Sequence, residues 1–330
     1  MICWVDGNDP VWKEKMLSFA PSKRQSDKTR FRDWNLLKFW FRSVEVYAPW
    51  VHKVYFVSDA QVPKWLNTEC DKLVVVDHKD YMPNDILPTF NSNTIELNFH
   101  RIEGLSEYFV AFNDDTFING PIDEYYYFCN GLPRDATNEQ LYLGRGYNKI
   151  TKWGITVTDF CCTQVMKFHF NRKQVTKGNF KRWYGGYLGI KYRLYALAQI
   201  WRDDFQNFAT PHNEKAFLKH VFNEIWECEG DLLMQSCTRF REPANLSIYL
   251  MRYWQLASNK FFPTRMKHKA TYQIDEESLE NIVCAIRDEN IKSLCLNDPS
   301  GITDEFYYLA KERIYNAFNE KLPNKCVFEK

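Results

Sequence analysis

A short apolar run, Tyr108–Phe112, breaks off into Asn113-Asp114-Asp115. An apolar stretch of this length that stops at polar residues fits a buried parallel strand whose carboxyl end opens on a ligand crevice. That ending constrains the chain, because two adjacent carboxylates repel unless a proton or a cation sits between them. A divalent metal holding a diphosphate satisfies the pair. A turn or helix cap, which Asn and Asp both favour, accounts for the same residues without a ligand. Just upstream, Leu87-Pro88-Thr89-Phe90-Asn91-Ser92-Asn93 is polar loop chemistry, and Ser92 or Asn93 is placed to cap a helix over Thr94–Arg101. On that helix Glu96, His100 and Arg101 are four and five residues apart and share roughly one face, beside an N-terminus suited to an anion. A solvated helix with an ordinary ion pair is the plainer reading.

Other segments repeat the strand-end theme. Val54–Val57 runs into Ser58-Asp59 and Leu73–Val76 into Asp77-His78, and the strands alternate with helical stretches such as Trp34–Tyr47, where Leu37, Phe41 and Val44 recur at helical spacing. The alternation predicts an α/β fold: a Rossmann-like, mostly parallel central sheet with helices on both faces and functional loops at the strand ends. Ile2–Val5 reads as the end of a first strand, short as though the chain begins inside it. Asp6-Gly7-Asn8-Asp9 is then the loop after it, which holds a nucleotide or is simply a turn. Lys13–Lys28 is charged and reads as a loop. Arg42 is a phosphate contact or a surface ion pair. Near the other end, Ile291–Leu296 reads as a strand ending in Asn297-Asp298, followed by an amphipathic helix over Thr303–Phe318. Two Asn-Asp strand ends in one sheet can bring three carboxylates to one metal.

Between these halves the texture changes. From Arg145 to Trp201 there are eleven Lys/Arg and a single acid, Asp159, interleaved with Trp183, Tyr184 and Tyr187. Such a segment suits an anionic glycan, a lipid head group or single-stranded nucleic acid, or is a solvated insertion. The division expected is therefore an α/β core over 1–122, a basic, aromatic-rich insertion over 123–207 on the acceptor side, and the rest of the core over 208–330. After the insertion, His212 precedes an expected helix over Glu214–Glu227, where a helix N-terminus favours the neutral imidazole that a general base needs. Arg239 and Arg241 are two apart and point the same way in an extended segment, so that either can clamp a phosphate. A helix over Asn245–Ala257 follows.

With 43 Lys+Arg against 42 Asp+Glu, net charge +1, no general nucleic-acid binder is expected. The ten cysteines are scattered, with no Cys-x-x-Cys pair, which excludes zinc-finger spacing and predicts reduced thiols in a cytosol. No apolar run approaches membrane-spanning length, and the first residues do not read as a signal peptide.

Taken together, the motifs resemble those of the Stealth family, the sugar-phosphate transferases of bacterial capsule synthesis, whose eukaryotic relative is the lysosomal-enzyme N-acetylglucosamine-1-phosphotransferase. The family has four sequence blocks. The first looks like Trp4-Val5-Asp6-Gly7-Asn8-Asp9-Pro10. The second is similar to Arg32 through Ile118, with Tyr47-Ala48-Pro49-Trp50-Val51, the Leu87–Asn93 loop, His100-Arg101-Ile102-Glu103-Gly104 and Asn113-Asp114-Asp115. The third looks like Pro211-His212 through Phe240-Arg241, and the fourth like Leu296-Asn297-Asp298 through Phe328-Glu329. The resemblance implies transfer of sugar-1-phosphate from a nucleotide-diphosphate sugar to a hydroxyl of an acceptor glycan or glycolipid, forming a phosphodiester and releasing a nucleoside monophosphate. It implies Mg²⁺ (or Mn²⁺) on Asp114, Asp115, Asn297 and Asp298. Arg241 would stabilise the phosphoryl charge and His212 would act as base, with a carboxylate at 114–115 as runner-up. Trp4, Val5, Asp6 and Gly7 would shape the nucleotide pocket. Arg42, Asn91, Ser92, Glu96, His100 and Arg101 would line the donor side. The expected setting is cytoplasmic, with peripheral contact to membrane-bound capsule machinery. Two other readings are a metal-dependent nucleotide-sugar glycosyltransferase and an inactive glycan- or membrane-binding protein.

Overall fold

The computed structural model describes residues 1–20, 32–141, 156–265, 267–299 and 301–330. Strands β1 (Ile2–Cys3), β2 (Val54–Ser58) and β3 (Leu73–Asp77) form a parallel sheet in the order β1-β2-β3. On the free side of β1, the Phe112 amide donates to the Met1 carbonyl at 3.0 Å and Ile2 pairs with Phe112. This sets β4 (Tyr108–Ala111) beside the sheet. The remaining strands are β5 (Thr116–Ile118), β6 (Phe128–Cys129), β7 (Leu132–Asp135), β8 (Lys215–Leu218), β9 (Phe262–Pro263), β10 (Lys269–Gln273) and β11 (Ser293–Asn297). β4 pairs antiparallel with β8, and β11 lies between parallel β10 and antiparallel β5. The fold is mixed α/β, as expected, but the single mostly parallel sheet is not what forms. The strands divide into several small sheets, because β5 leaves the direction of β4 at Asp114-Asp115 and pairs with β11 instead.

Helices cover both faces of β2, and its sequence shows why. All five β2 residues are buried, and side chains alternate along a strand. Val54 and Phe56 join a core with the helices Leu37–Tyr47, Leu279–Arg287 and Asp304–Lys321. Tyr55 and Val57 join the other core, with the helices Val157–His169, Lys219–Ser236 and Tyr249–Ala257. The basic, aromatic segment contributes to that second core. Trp183 and Tyr184 are buried, so these rings serve packing. Arg172 makes a two-pronged pair with Glu139, at 2.7 and 2.8 Å, with both side chains wholly buried. Arg145, Lys149 and Lys152 lie outside the described residues.

Local expectations are corrected at four places. Part of Lys13–Lys28 is helix, not loop: Pro10–Phe19 is capped by the Asp9 carboxylate, which accepts from the Val11 and Trp12 amides, with Pro10 at its first position. Residues 21–31 lie outside the described residues. The helix expected from Thr94 starts at Ser92 with Asn91 as its cap, ends at Leu97, and gives way to a tighter 3₁₀ turn over Phe99–Arg101. The helix expected over Glu214–Glu227 is strand β8 followed by the helix Lys219–Ser236, because the 215–218 backbone is drawn into pairing with β4. Arg42, finally, is not a phosphate contact. Its guanidinium grips Glu329 at 2.7 and 2.9 Å and donates to the Leu322 carbonyl at 2.8 Å, tying the helix Leu37–Tyr47 to the C-terminal segment.

The Arg42–Glu329 pair is nearly buried, at 9% and 3% side-chain exposure. Removing one member strands the other charge, which typically costs about 3–5 kcal/mol. Arg42→Ala is therefore expected to lower the denaturant midpoint steeply. The folded fraction should keep its ligand affinity, as read by chemical denaturation alongside calorimetry.

Candidate active site

A cavity of about 760 Å³ opens where β1, β2, β3 and β4 end, the side of an open α/β sheet where ligands collect. Trp4 and Val5 follow β1, Asp59 follows β2, His78 follows β3, and Asn113, Asp114 and Asp115 follow β4; all line it. A second cavity, of about 840 Å³, opens at the opposite strand ends among residues such as Trp40, Trp50, Tyr55 and Phe128. Its lining is mainly aromatic and aliphatic, with exposed His52, Lys53 and Glu124 as ionisable groups. The smaller cavity is where charge is concentrated.

Two strand pairings bring distant residues there. Antiparallel β5–β11 sets Thr116 opposite Cys295, and the Leu296 amide donates to the Asp115 carbonyl at 2.9 Å. Asn297 and Asp298 therefore line the same cavity as Asp114 and Asp115. The second pairing fixes His212. Next to it, the Asn213 amide side chain donates to Ser293 Oγ at 2.9 Å, and the buried Glu214 carboxylate takes Lys269 Nζ at 2.9 Å and the Ser293 hydroxyl. With 213–214 clamped to β10 and β11, His212 Nε2 sits 3.3 Å from Asp115 Oδ2, and Thr116 Oγ1 donates to the other carboxylate oxygen at 3.0 Å. His212 thus precedes a strand, not a helix, and what faces its ring is a carboxylate and not a helix dipole.

Electrostatics follow from crowding. Asp114 meets the solvent of the cavity but is hemmed in by protein; burial first, then the neighbouring Asp115, pushes its carboxyl up from an ordinary 3.8 to about 7. Glu96 is raised by burial, a shift opposed by Lys215, Arg241 and His212. Lys215 is lowered by burial, with Glu96 pulling the other way. Asp298 Oδ1 meets Arg32 Nη1 at 3.1 Å. Arg241 Nη2 donates to Ser92 Oγ. The oxygen donors of Asp114, Asp115, Asn297 and Asp298 are the type that suits a hard divalent cation.

The family-model description "Stealth protein CR2, conserved region 2" matches residues 30–135, which include β2, β3, β4 and the Asn113-Asp114-Asp115 strand end. Relatives match from end to end. The exopolysaccharide phosphotransferase cps2G of Lactiplantibacillus plantarum is 36% identical over 333 residues, 100% of this chain and 95% of the relative. The chain belongs to the Stealth family. The capsular polysaccharide phosphotransferase WcwK of Streptococcus pneumoniae is 34% identical, and the receptor polysaccharide phosphotransferase WefC of Streptococcus gordonii 32%; each match covers all of this chain and 97% and 98% of the relative. This Stealth protein is accordingly a phosphotransferase.

Of the residues singled out in the sequence, the cavity of this Stealth enzyme gathers Trp4, Val5, Ser92, Glu96, Asp114, Asp115, His212, Arg241, Asn297 and Asp298. Others go elsewhere. Asn91 is wholly buried; its side chain donates to Asn245 Oδ1 at 2.9 Å and to Thr238, pinning the segment that carries Arg241. Arg239 donates to the Pro88 carbonyl at 3.0 Å and is the structural member of the arginine pair. Asp6 exchanges hydrogen bonds with Gln61, at 2.9 and 3.0 Å, and neither it nor Gly7 lines the cavity. His100 and Arg101 are corrections: they pack against Trp226 on the helix Lys219–Ser236, Arg101 with its guanidinium carbon 4.6 Å from the ring centre. Lys215, Arg32 and Tyr249 line the cavity and were not anticipated. Lys215 was hidden inside an expected helix. Arg32 carried a signal, being a cation two residues before an aromatic helix start, but its partner Asp298 is 266 residues away.

Because the native state holds the Asp114 proton more tightly than the unfolded chain, Asp114's contribution to stability is complete below about pH 4 and is lost as pH rises through about 7. In metal-free protein, Asp114→Asn is expected to melt higher than wild type at pH 8. The gap should close as pH falls toward 4, as followed by thermal melts across the range.

Proposed function

We propose that this chain transfers sugar-1-phosphate, a hexose- or N-acetylhexosamine-1-phosphate, from a nucleotide-diphosphate sugar to a hydroxyl of an acceptor glycan in capsular or exopolysaccharide synthesis. The polysaccharide phosphotransferase names of the relatives support this reading. The observation that carries it is that two Asn-Asp strand ends, His212 and Arg241 converge on one cavity. The Rossmann-like reading of the β1-β2-β3 sheet, with its crevice at the carboxyl ends, belongs with it.

In the proposed step the acceptor oxygen attacks the phosphorus bearing the sugar. The P–O bond to the nucleotide breaks, and nucleoside monophosphate leaves with the electron pair. His212 accepts the hydroxyl proton, and the cation so formed is stabilised by Asp115 at 3.3 Å. Arg241, aimed by its bond to Ser92 and by the Asn91-anchored segment behind it, offers donors to the phosphoryl oxygens. Lys215 and Arg32, the latter paired with Asp298, also line the cavity. Trp4 and Val5 shape the nucleotide end. Asp114, Asp115, Asn297 and Asp298 would hold Mg²⁺ (or Mn²⁺), which supplies neutralisation of the diphosphate charge. Phosphorus is favoured over the anomeric carbon as the point of attack because the relatives are named phosphotransferases.

A panel of nucleotide sugars, assayed for the released nucleotide with and without chelator, tests this directly. Nucleoside monophosphate is expected, lost on chelation; nucleoside diphosphate would indicate ordinary glycosyl transfer. Asp298→Asn should nearly abolish turnover in a folded protein. His212→Ala should lower kcat by roughly 10²–10⁴-fold while leaving donor affinity little changed. A His212 variant that loses only donor affinity would remove it from the role of base.

A further inference from the structure

β11 presents its two faces to different neighbours. Leu294 and Leu296 enter the core. Ser293, Cys295 and Asn297 are on the opposite face. Ser293 holds the 213–214 clamp, Asn297 lines the cavity, and Cys295 lies between them, buried directly beneath the catalytic corner. One ligand atom each of Asp115, His212 and Cys295 lies within 4.8 Å of the others. A tetrahedral zinc ion holds its donors about 3.3–3.7 Å apart, so side-chain adjustments of about 1 Å close this triangle. One thiol, one imidazole and one carboxylate form a donor set of different character from the all-oxygen group of Asp114, Asp115, Asn297 and Asp298. Sulfur and imidazole select borderline-soft cations over Mg²⁺.

We propose that Asp115, His212 and Cys295 form a site for a borderline-soft divalent cation, Zn²⁺ or Co²⁺, distinct in ligand set from the hard-cation site and sharing only Asp115 with it. Binding forms a metal–thiolate bond, and the Cys295 thiol proton passes to solvent. Occupancy ties up the His212 ring and one carboxylate, so the bound ion inhibits. Only the inhibition rests on His212 acting as the base.

Metal-free full-length protein titrated with Co²⁺ tests it without reference to turnover. A thiolate-to-cobalt charge-transfer band should saturate at a single equivalent, yield to Zn²⁺, and resist Mg²⁺. Cys295→Ser should abolish the band and weaken Zn²⁺ binding by at least the roughly 10–100-fold that loss of an outer-shell partner costs, with an unchanged circular dichroism spectrum. A variant lacking the two exposed thiols, Cys228→Ser with Cys284→Ser, should keep the band. No band in folded wild type, or a band that follows the exposed thiols instead of Cys295, overturns the site. Should no donor prove to be a substrate, the cobalt titration still decides the proposal. Where transfer is observed, Zn²⁺ should inhibit wild type and spare Cys295→Ser, and a band without inhibition overturns the inhibitory role.

Discussion

The antiparallel register of β5 on β11 places Thr116 opposite Cys295 and ties the Leu296 amide to the Asp115 carbonyl. The convergence of the cavity's residues depends on that pairing. Asp115 and Asp298 are remote in the chain, and neither strand is long enough to persist alone. Three paired residues of β5, held by Leu294 and Leu296 in the core on one side of β11, convert two separate strand ends into one corner. β10, parallel to β11, extends the same support to His212 through Lys269 and Glu214. The corner is rigid because its positioning residues are buried and hydrogen-bonded, while the groups they position face solvent.

Much of this was legible. Strand ends were readable because apolar runs that stop at Asn-Asp or Ser-Asp carry both the hydrophobic pattern and the break in it, and β2, β3, β4 and β11 fall within a residue or two of expectation. The misreadings have specific causes. His100 and Arg101 were placed with Glu96 by assuming an unbroken helix. The chain winds instead as a 3₁₀ turn after Asn98, and three residues per turn in place of 3.6 rotates both side chains off the expected face. β8 escaped notice because Lys-Ala-Phe-Leu enters the following helix with no turn residue between them; its partner, β4, is more than a hundred residues away. Long-range pairing overrides local propensity in this way.

The arginines show the same limit. Arg42, Arg172 and Arg252 each pair with a distant carboxylate, at 287, 33 and 117 residues' separation, and nothing local distinguishes them from Arg241, which reaches the cavity. A buried guanidinium needs its partner for solvation and a catalytic one needs exposure. Sequence spacing reports neither. The two-apart spacing of Arg239 and Arg241 was correct as a pattern, yet the Leu87 and Pro88 carbonyls claim Arg239 while Ser92 leaves Arg241 at the cavity wall.

The cavity's charge balance bears on what it awaits. Arg32 lies against Asp298, His212 against Asp115, and Lys215 and Arg241 ease the burden on Glu96. Asp114 differs. Against a backbone hydrogen bond and a contribution from His212, its carboxylate neighbours, Asp115 and Asp33, add repulsion to the cost of burial and raise it to about 7. In the proposed reading, a cation entering here would displace the Asp114 proton, because it would relieve Asp114 and Asp115 together. A general acid would need a proton path to the leaving oxygen, and in the proposed mechanism His212, with Asp115 3.3 Å from its ring, is the more direct partner for a substrate hydroxyl. In the mechanism proposed above, cation ligands would stand on the strand ends and the base on the β8 side, which is the division of labour that a displacement at phosphorus would use.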